Sequence, residues 1–378
     1  MATIDVLIIG GGITGLVAAM ELAETGARVR VVDAGINAGS GANAGSLHVQ
    51  MQSRFLRLFP DQAPNVEAAL PLYKQAARVW ADLEDRIGPC DLVRKGGLML
   101  AEGDDQMAFL EQKARREEAK GLDVTLLDRA ELDKIAPWVG PHIVGAELCR
   151  DEGKLNPLLA NVNLIERCET LGVDRREDKI EVLSVTDAGV TAHGRTEDHE
   201  APEVVIAAAW GAGALVSGLG VTIPTEAEPL HMNITESCGQ QIQHLVQHAE
   251  RPITLKQFRT GQIVIGGGWP ARSRGRDTVP EVTASSLLGN VALAARLVPS
   301  IGRLRVIRTW AGMNTTADGA SIIGRLPDAP RVTMAVPGDA GYTLGPLVAQ
   351  MAAATVSGRQ PLADPSPFSP ARFSTASA

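Results

Sequence analysis

Six consecutive residues near the N-terminus, Gly10-Gly11-Gly12-Ile13-Thr14-Gly15, carry the clearest chemistry in the chain, and Asp33 completes it. Glycines at the spacing G-x-G-x-x-G suit a backbone that turns tightly and then admits a diphosphate. Gly10 permits the turn, Gly12 keeps side chains out of the anion's way, and Gly15 lets a helix pack closely on a sheet. Ile13 and Thr14 stand where a helix begins, and its unpaired N–H groups and positive dipole end suit an anion. Asp33, followed by Ala34, sits where a carboxylate can accept from ribose hydroxyls. Taken alone, the pattern reads as dinucleotide binding with NAD as the default occupant. The bland alternative is an ordinary glycine turn.

That chemistry needs a strand, a helix and a second strand around it, and the sequence supplies them. Residues 4–9 are a short apolar run, residues 16–25 read as a helix closed by Gly26, and residues 28–32 are a second apolar run ending at Asp33. A small, polar, glycine-rich stretch follows. Within it Ser40, Asn43, Ala44, Gly45 and Ser46 form a second candidate cofactor loop, placed directly after the acid-bearing strand. A buried-type strand at 203–209 runs into Trp210-Gly211-Ala212-Gly213 and is expected to return to the same parallel sheet, with Ala208, Ala209 and Trp210 as candidate cofactor contacts. A strand at 331–335, a turn at 337–346 and a helix at 347–357 repeat the opening pattern at the far end. They offer Gly338, Gly341, Tyr342, Thr343 and Leu344 as further cofactor contacts.

Between these ends, residues 65–87 read as an amphipathic helix and 106–120 as a charged, solvated one. Residues 91–101 suggest a strand pair around Gly96-Gly97, residues 157–171 a helix, and residues 180–192 a hairpin. Strand patterns dominate 229–323, at 231–236, 253–258, 262–267 and 305–310, interrupted by a helix at 282–297.

The chain has 378 residues, more than one compact core usually holds, so two domains are expected. Its net charge of −8 argues against nucleic acid or an anionic membrane as the main partner. No apolar run is long enough to span a membrane, and the first one is too short for a signal peptide. Four scattered cysteines without a C-x-x-C pair suit reduced thiols in a cytoplasmic protein and no metal site.

With these pieces placed, the chain resembles the D-amino acid oxidase family of flavoproteins over nearly its whole length. The resemblance rests on the opening fingerprint, the Ser40/Asn43-Ala44-Gly45 loop and the strand at 204–209. It rests also on Trp310-Ala311-Gly312 with Asp318-Gly319, and on Gly338/Gly341-Tyr342-Thr343-Leu344-Gly345-Pro346. Within the group it is most similar to the beta subunits of opine oxidases and of D-hydroxyproline dehydrogenase. The stretches 44–50, 265–270 and 310–315 carry that likeness.

The resemblance implies FAD rather than NAD, and oxidation of a C–N bond by hydride transfer to flavin. It implies a discontinuous Rossmann-type FAD/NAD(P)-binding domain (1–88, 140–220 and 325–378). An α+β substrate domain with a large, mostly antiparallel sheet takes 89–139 and 221–324. It also implies alpha and small iron–sulfur partner subunits, with FMN at an interface as a further carrier.

Departures from the family pattern bear on the substrate. Where glycine oxidase-like members carry a carboxylate-binding Arg, this chain has Asn314. The strand that carries a flavin-linking Cys in sarcosine oxidases has no thiol here, so FAD is expected to be non-covalent. Trp210 replaces a glycine, and Asp339 stands where many relatives have His. The candidate catalytic residues are His48 as acid/base or substrate donor, Arg54 as carboxylate partner, Asn314 as an uncharged donor and Tyr342 through its hydroxyl. Arg57, Lys256 and Arg259 are further candidate carboxylate partners. An opine-type secondary amine is the expected substrate. The alternatives are a D-hydroxyproline, sarcosine or glycine-type amine, or a relay and assembly subunit without a substrate of its own.

Overall fold

The structure, a computed structural model, describes residues 4–373, with the side chain of Arg54 outside the described set. Strand β1 (Val6–Ile9) is buried along its whole length because strands lie on both sides of it. It pairs in parallel with β2 (Val29–Asp33) on one side and with Glu203–Ile206 on the other. Asp174–Glu177 extends this sheet beyond β2, and Ala329–Val336 and the antiparallel Ile322–Leu326 extend it at the other end. An all-apolar strand such as Val6-Leu7-Ile8-Ile9 suits a sheet covered on both faces.

Helix α1 (Ile13–Ala23) is apolar almost all round, because the sheet covers one side and the closing helix Gly341–Val356 another. Close approach rests on small residues. A Cβ on Gly15 would lie 1.8 Å from Gly10 O, and one on Gly345 would lie 2.8 Å from Ile13 Cγ2. The turn expected at 337–346 is helical from Gly341 onward. Pro346 has no N–H for the carbonyl of Tyr342 four residues earlier. Trp80 Nε1 donates to that carbonyl instead, at 3.0 Å, from the long helix Ala63–Ile87.

The second sheet has eight strands. Its order is Val306–Thr316, Glu226–Thr235, Ile263–Gly266, Thr254–Gln257, Leu245–His248, Gly97–Ala101, Gly145–Cys149 and Val124–Asp128. Only the pairing of Leu245–His248 with Gly97–Ala101 is parallel. The strand Gly145–Cys149 belongs to this sheet, so a boundary at residue 140 would cut it off from its partners. Likewise Ile322–Leu326 belongs wholly to the first sheet, so the expected boundary at 324/325 falls inside a strand.

Several local expectations change. Residues 91–101 give one strand, Gly97–Ala101, with Val93 bridged to Lys154 instead. The hairpin at 180–192 gains a third strand, Asp198–Ala201. Helix Asp104–Ala119 is not solvated all round, because Lys113 and Glu117 are buried. Lys113 Nζ donates to Glu117, to Glu147 at 2.9 Å and to Gln50 Oε1 at 3.1 Å. The cost of burying one charge is met by opposite charges and hydrogen bonds. Burial pushes the Glu147 carboxyl up, against the pull of Lys113 beside it.

Candidate active site between the two sheets

The two sheets meet at a cavity of about 700 Å³. One wall is the carboxyl end of the first sheet: residues 9–14, Val32–Ala34 and the loop to Ser46. The other wall is the large sheet, through Leu230, Met232, Thr254, Gly267 and residues 312–315. Residues 337–343 close the remaining side. A crevice outside the carboxyl ends of parallel strands is where such folds bind nucleotides.

The glycine turn is shaped by contact as well as by its missing side chains. Gly10 has φ +112°, and a Cβ there would lie 2.3 Å from Ala207 O. Gly12 faces the cavity, with Ser40 Oγ as the nearest atom to where its Cβ would be, at 3.0 Å. Ser40 Oγ accepts from Ile13 N at 2.9 Å, the first amide of α1. Asp33 accepts from Gly11 N at 2.6 Å and from Gly35 N at 2.8 Å. Asp33 thus braces the glycine turn while lining the cavity.

The second glycine loop lies between both walls. Trp310 Nε1 donates to Ala42 O at 2.8 Å, and Met313 N donates to Ala38 O at 2.7 Å. Ser40, Asn43, Ala44 and Ser46 line the cavity, whereas Gly45 packs beneath it, where a Cβ would lie 2.1 Å from Leu155 O. Gly15 and Leu344 are likewise packing residues outside the lining, while Ile13, Thr14, Gly338, Gly341 and Thr343 border the cavity. Ala208, Ala209 and Trp210 also line it. Ala209 takes φ +50°, a left-handed backbone without being glycine.

The catalytic candidates separate. His48 lines the cavity, and its Nδ1 is 3.8 Å from Glu152 Oε1. Asn314 lines it too, with Nδ2 donating to Asp339 Oδ1 at 2.5 Å and to Glu228 Oε2 at 3.2 Å. Tyr342 borders the cavity, with its hydroxyl donating to Asn161 Oδ1 at 3.0 Å, itself a cavity-lining residue, and its ring stacked on Trp80. Arg54 lies in the short helix Ser53–Leu58, and its side chain falls outside the described residues. Arg57 is exposed over the Phe109 ring, and Arg259 pairs with Asp91 at 2.8 Å, so neither borders the cavity.

Lys256 is fully buried and donates to Ser46 Oγ at 2.5 Å. Burial, with Lys154 nearby, pushes its ammonium down to about 7. Sequence reading missed Gln52, Asn161, Lys179 and Arg276 as lining residues. Each is a polar residue outside any motif, so no local signal marks it.

Comparison with known proteins follows the same lines. The family described as FAD dependent oxidoreductase (DAO) matches residues 5–355. The chain belongs to that family. Over 97% of its length it is 25% identical to glycine oxidase of Pseudomonas putida, covering 98% of that protein. Over 99% of its length it is 24% identical to an opine oxidase subunit of Agrobacterium tumefaciens, again covering 98%. The fold matches the crystal structure of glycine oxidase from Geobacillus kaustophilus with a TM-score of 0.83 and 22% identity, covering 97% of each chain.

FAD is accordingly the dinucleotide of this FAD dependent oxidoreductase, and the NAD default falls. The cavity fits it: the glycine turn Gly10–Gly12, the start of α1 at Ile13 and Thr14, and Asp33 all line it, with no side chain at Gly12 to fill it. None of Cys90, Cys149, Cys168 and Cys238 lines the cavity, in keeping with non-covalent binding. Among the described residues no group of His, Cys, Asp or Glu could hold a metal ion, and no helix is long and apolar enough to cross a membrane.

Proposed function

We propose that this chain is the FAD-binding catalytic subunit of an opine-type dehydrogenase. It oxidises the C–N bond of a secondary amine such as octopine or nopaline. FAD, when bound, would supply the acceptor for a hydride from the C–H beside the nitrogen, leaving an imine that water splits into an amino acid and a 2-oxo acid. The protein's part is to hold the amine neutral, aim that C–H and keep bulk water out.

The observation that carries this reading is Asn314. An amide, held by Asp339 and Glu228, stands where the resemblance implies a guanidinium for a simple amino acid's carboxylate. The likeness to the opine oxidase subunit supports it over nearly the whole chain. His48 is the cavity-lining imidazole suited to handle the amine proton. The reading includes alpha and iron–sulfur partner subunits, FMN at their interface as the next carrier, and a cytoplasmic location.

A second reading, oxidation of a smaller amine of the glycine, sarcosine or D-hydroxyproline type, is supported by the likeness to glycine oxidase. One experiment separates the two. The FAD-loaded protein is mixed without oxygen with octopine, nopaline, D-hydroxyproline, sarcosine and glycine, and flavin absorbance is followed. Loss of the oxidised band with octopine or nopaline is the expected result. Loss only with the smaller amines selects the second reading. No loss with any of them, in the assembled complex, leaves a relay subunit and overturns both.

A further inference from the structure

The large sheet sends one exposed excursion back over the nucleotide lobe. Residues 272–281 leave and rejoin at a pinned base, where Arg272 N donates to Glu281 O at 2.8 Å and Glu281 N donates to Arg272 O at 2.9 Å. From Arg272 to Val279 every residue is exposed. The tip nonetheless makes two specific contacts with the other lobe. Arg276 Nη2 donates to Trp210 O at 2.6 Å while Trp210 Nε1 donates to Arg276 O at 2.9 Å. The next residue, Asp277, forms an ion pair with Lys179.

These anchors stand on opposite sides of the nucleotide crevice. Trp210 follows the strand Glu203–Ile206, which pairs with β1 on one side. Lys179 follows Asp174–Glu177, which pairs with β2 on the other. The tip therefore spans from the strand Glu203–Ile206 to the strand Asp174–Glu177, with β1 and β2 lying between them in the sheet. Trp210, Lys179, Arg276 and Asp277 all line the same cavity as Asp33. The Lys179 anchor is itself fixed. Asp178 accepts from Lys179 N at 2.7 Å, from Arg195 N at 3.0 Å and from Thr196 Oγ1 at 2.8 Å, which hold its carboxyl well below the usual range against the effect of burial. A glycine at position 210, the residue the family resemblance implies, would have no ring N–H to hold Arg276.

We propose that residues 272–281 form a strap across the nucleotide half of the FAD groove, and that FAD retention depends on the Trp210–Arg276 clasp and the Lys179–Asp277 pair. A dinucleotide that fills this crevice leaves only when the strap lifts. The clasp involves a charged donor and two hydrogen bonds, enough to change release by about tenfold or more.

The test uses the full chain loaded with FAD and follows release, on dilution, by the rise of free flavin fluorescence. R276A, D277A, the double variant and W210F are compared with R274A, which changes an exposed arginine of the same arm outside the clasp. The double variant is expected to release FAD about tenfold faster, and W210F, which keeps an aromatic ring but loses the indole N–H, also faster. R274A keeps the wild-type rate. Added salt speeds release from wild type but not from D277A. Wild-type release by the double variant, in protein whose apo melting temperature is unchanged, overturns the proposal, as does equal acceleration by R274A. No substrate is involved, so failure here leaves the substrate reading standing.

Discussion

Lys256 is a buried cation whose effect on stability can be read from pH. Burial pushes its ammonium down to about 7, from 10.5 in the unfolded chain. Between those values the unfolded chain binds more protons, so this residue costs stability as pH falls from 10.5 to 7. Lys256→Met removes the cost. The variant's stability relative to wild type should be greatest near pH 7 and shrink toward pH 10.5, by up to about 1.4 kcal/mol per pH unit. Urea unfolding of both proteins at several pH values measures it; a constant difference would refute it. Taking the difference cancels the opposite trend of Glu147, whose raised carboxyl costs stability as pH rises above the ordinary carboxylate range. Tyr342 offers a second residue-scale test. Its hydroxyl is spent on Asn161, so Tyr342→Phe should lose about 1 kcal/mol of stability and leave flavin reduction unchanged. A slower flavin reduction would place the hydroxyl at the reaction after all.

At the scale of elements, the strand–turn–helix opening separates packing from binding. A Cβ on Gly15 would drive into Gly10 O at 1.8 Å, whereas one on Gly12 meets only the Ser40 side chain at 3.0 Å. Gly15→Ala should therefore lower the apo melting temperature sharply, because helix and strand must part. Gly12→Ala should leave apo stability near wild type and weaken FAD binding, because its Cβ enters the diphosphate space. Calorimetry of the apo proteins and FAD titration give the two readouts. Equal loss of apo stability in both variants would contradict the assignment. These elements were legible in the sequence because strand, glycine turn and helix are local patterns. The closing helix was legible only in part. Pro346 reads as a helix stop, and the Trp80 indole that satisfies the freed carbonyl lies far away in sequence.

At the scale of the whole molecule, the cavity is lined by both sheets, so FAD should stabilise them together. Loading FAD to about 100 times its Kd should add about 2.7 kcal/mol, seen as a higher melting temperature than the apo protein. The loaded protein should melt in one transition that includes both lobes. Two unshifted transitions would mean that FAD does not bridge them. The lobes are also tied by the Trp310–Ala42 and Met313–Ala38 hydrogen bonds and by the strap at 272–281.

The sequence by itself determined the nucleotide fold, because a tight turn, an anion-receptive helix start and a ribose-facing acid each demand particular residues at fixed short spacing. Together with the closing motifs it pointed to FAD, and Asn314 marked the departure that bears on the substrate. Only the tertiary structure decided which side chains of those motifs enter the cavity. It tied the Tyr342 hydroxyl to Asn161, placed Gly45 beneath its loop, and buried Lys113 and Glu117 on a helix that reads as solvated. It also brought Lys179 and Arg276, nearly a hundred residues apart, to one crevice. Such placements depend on contacts between distant segments, and no local spacing encodes them.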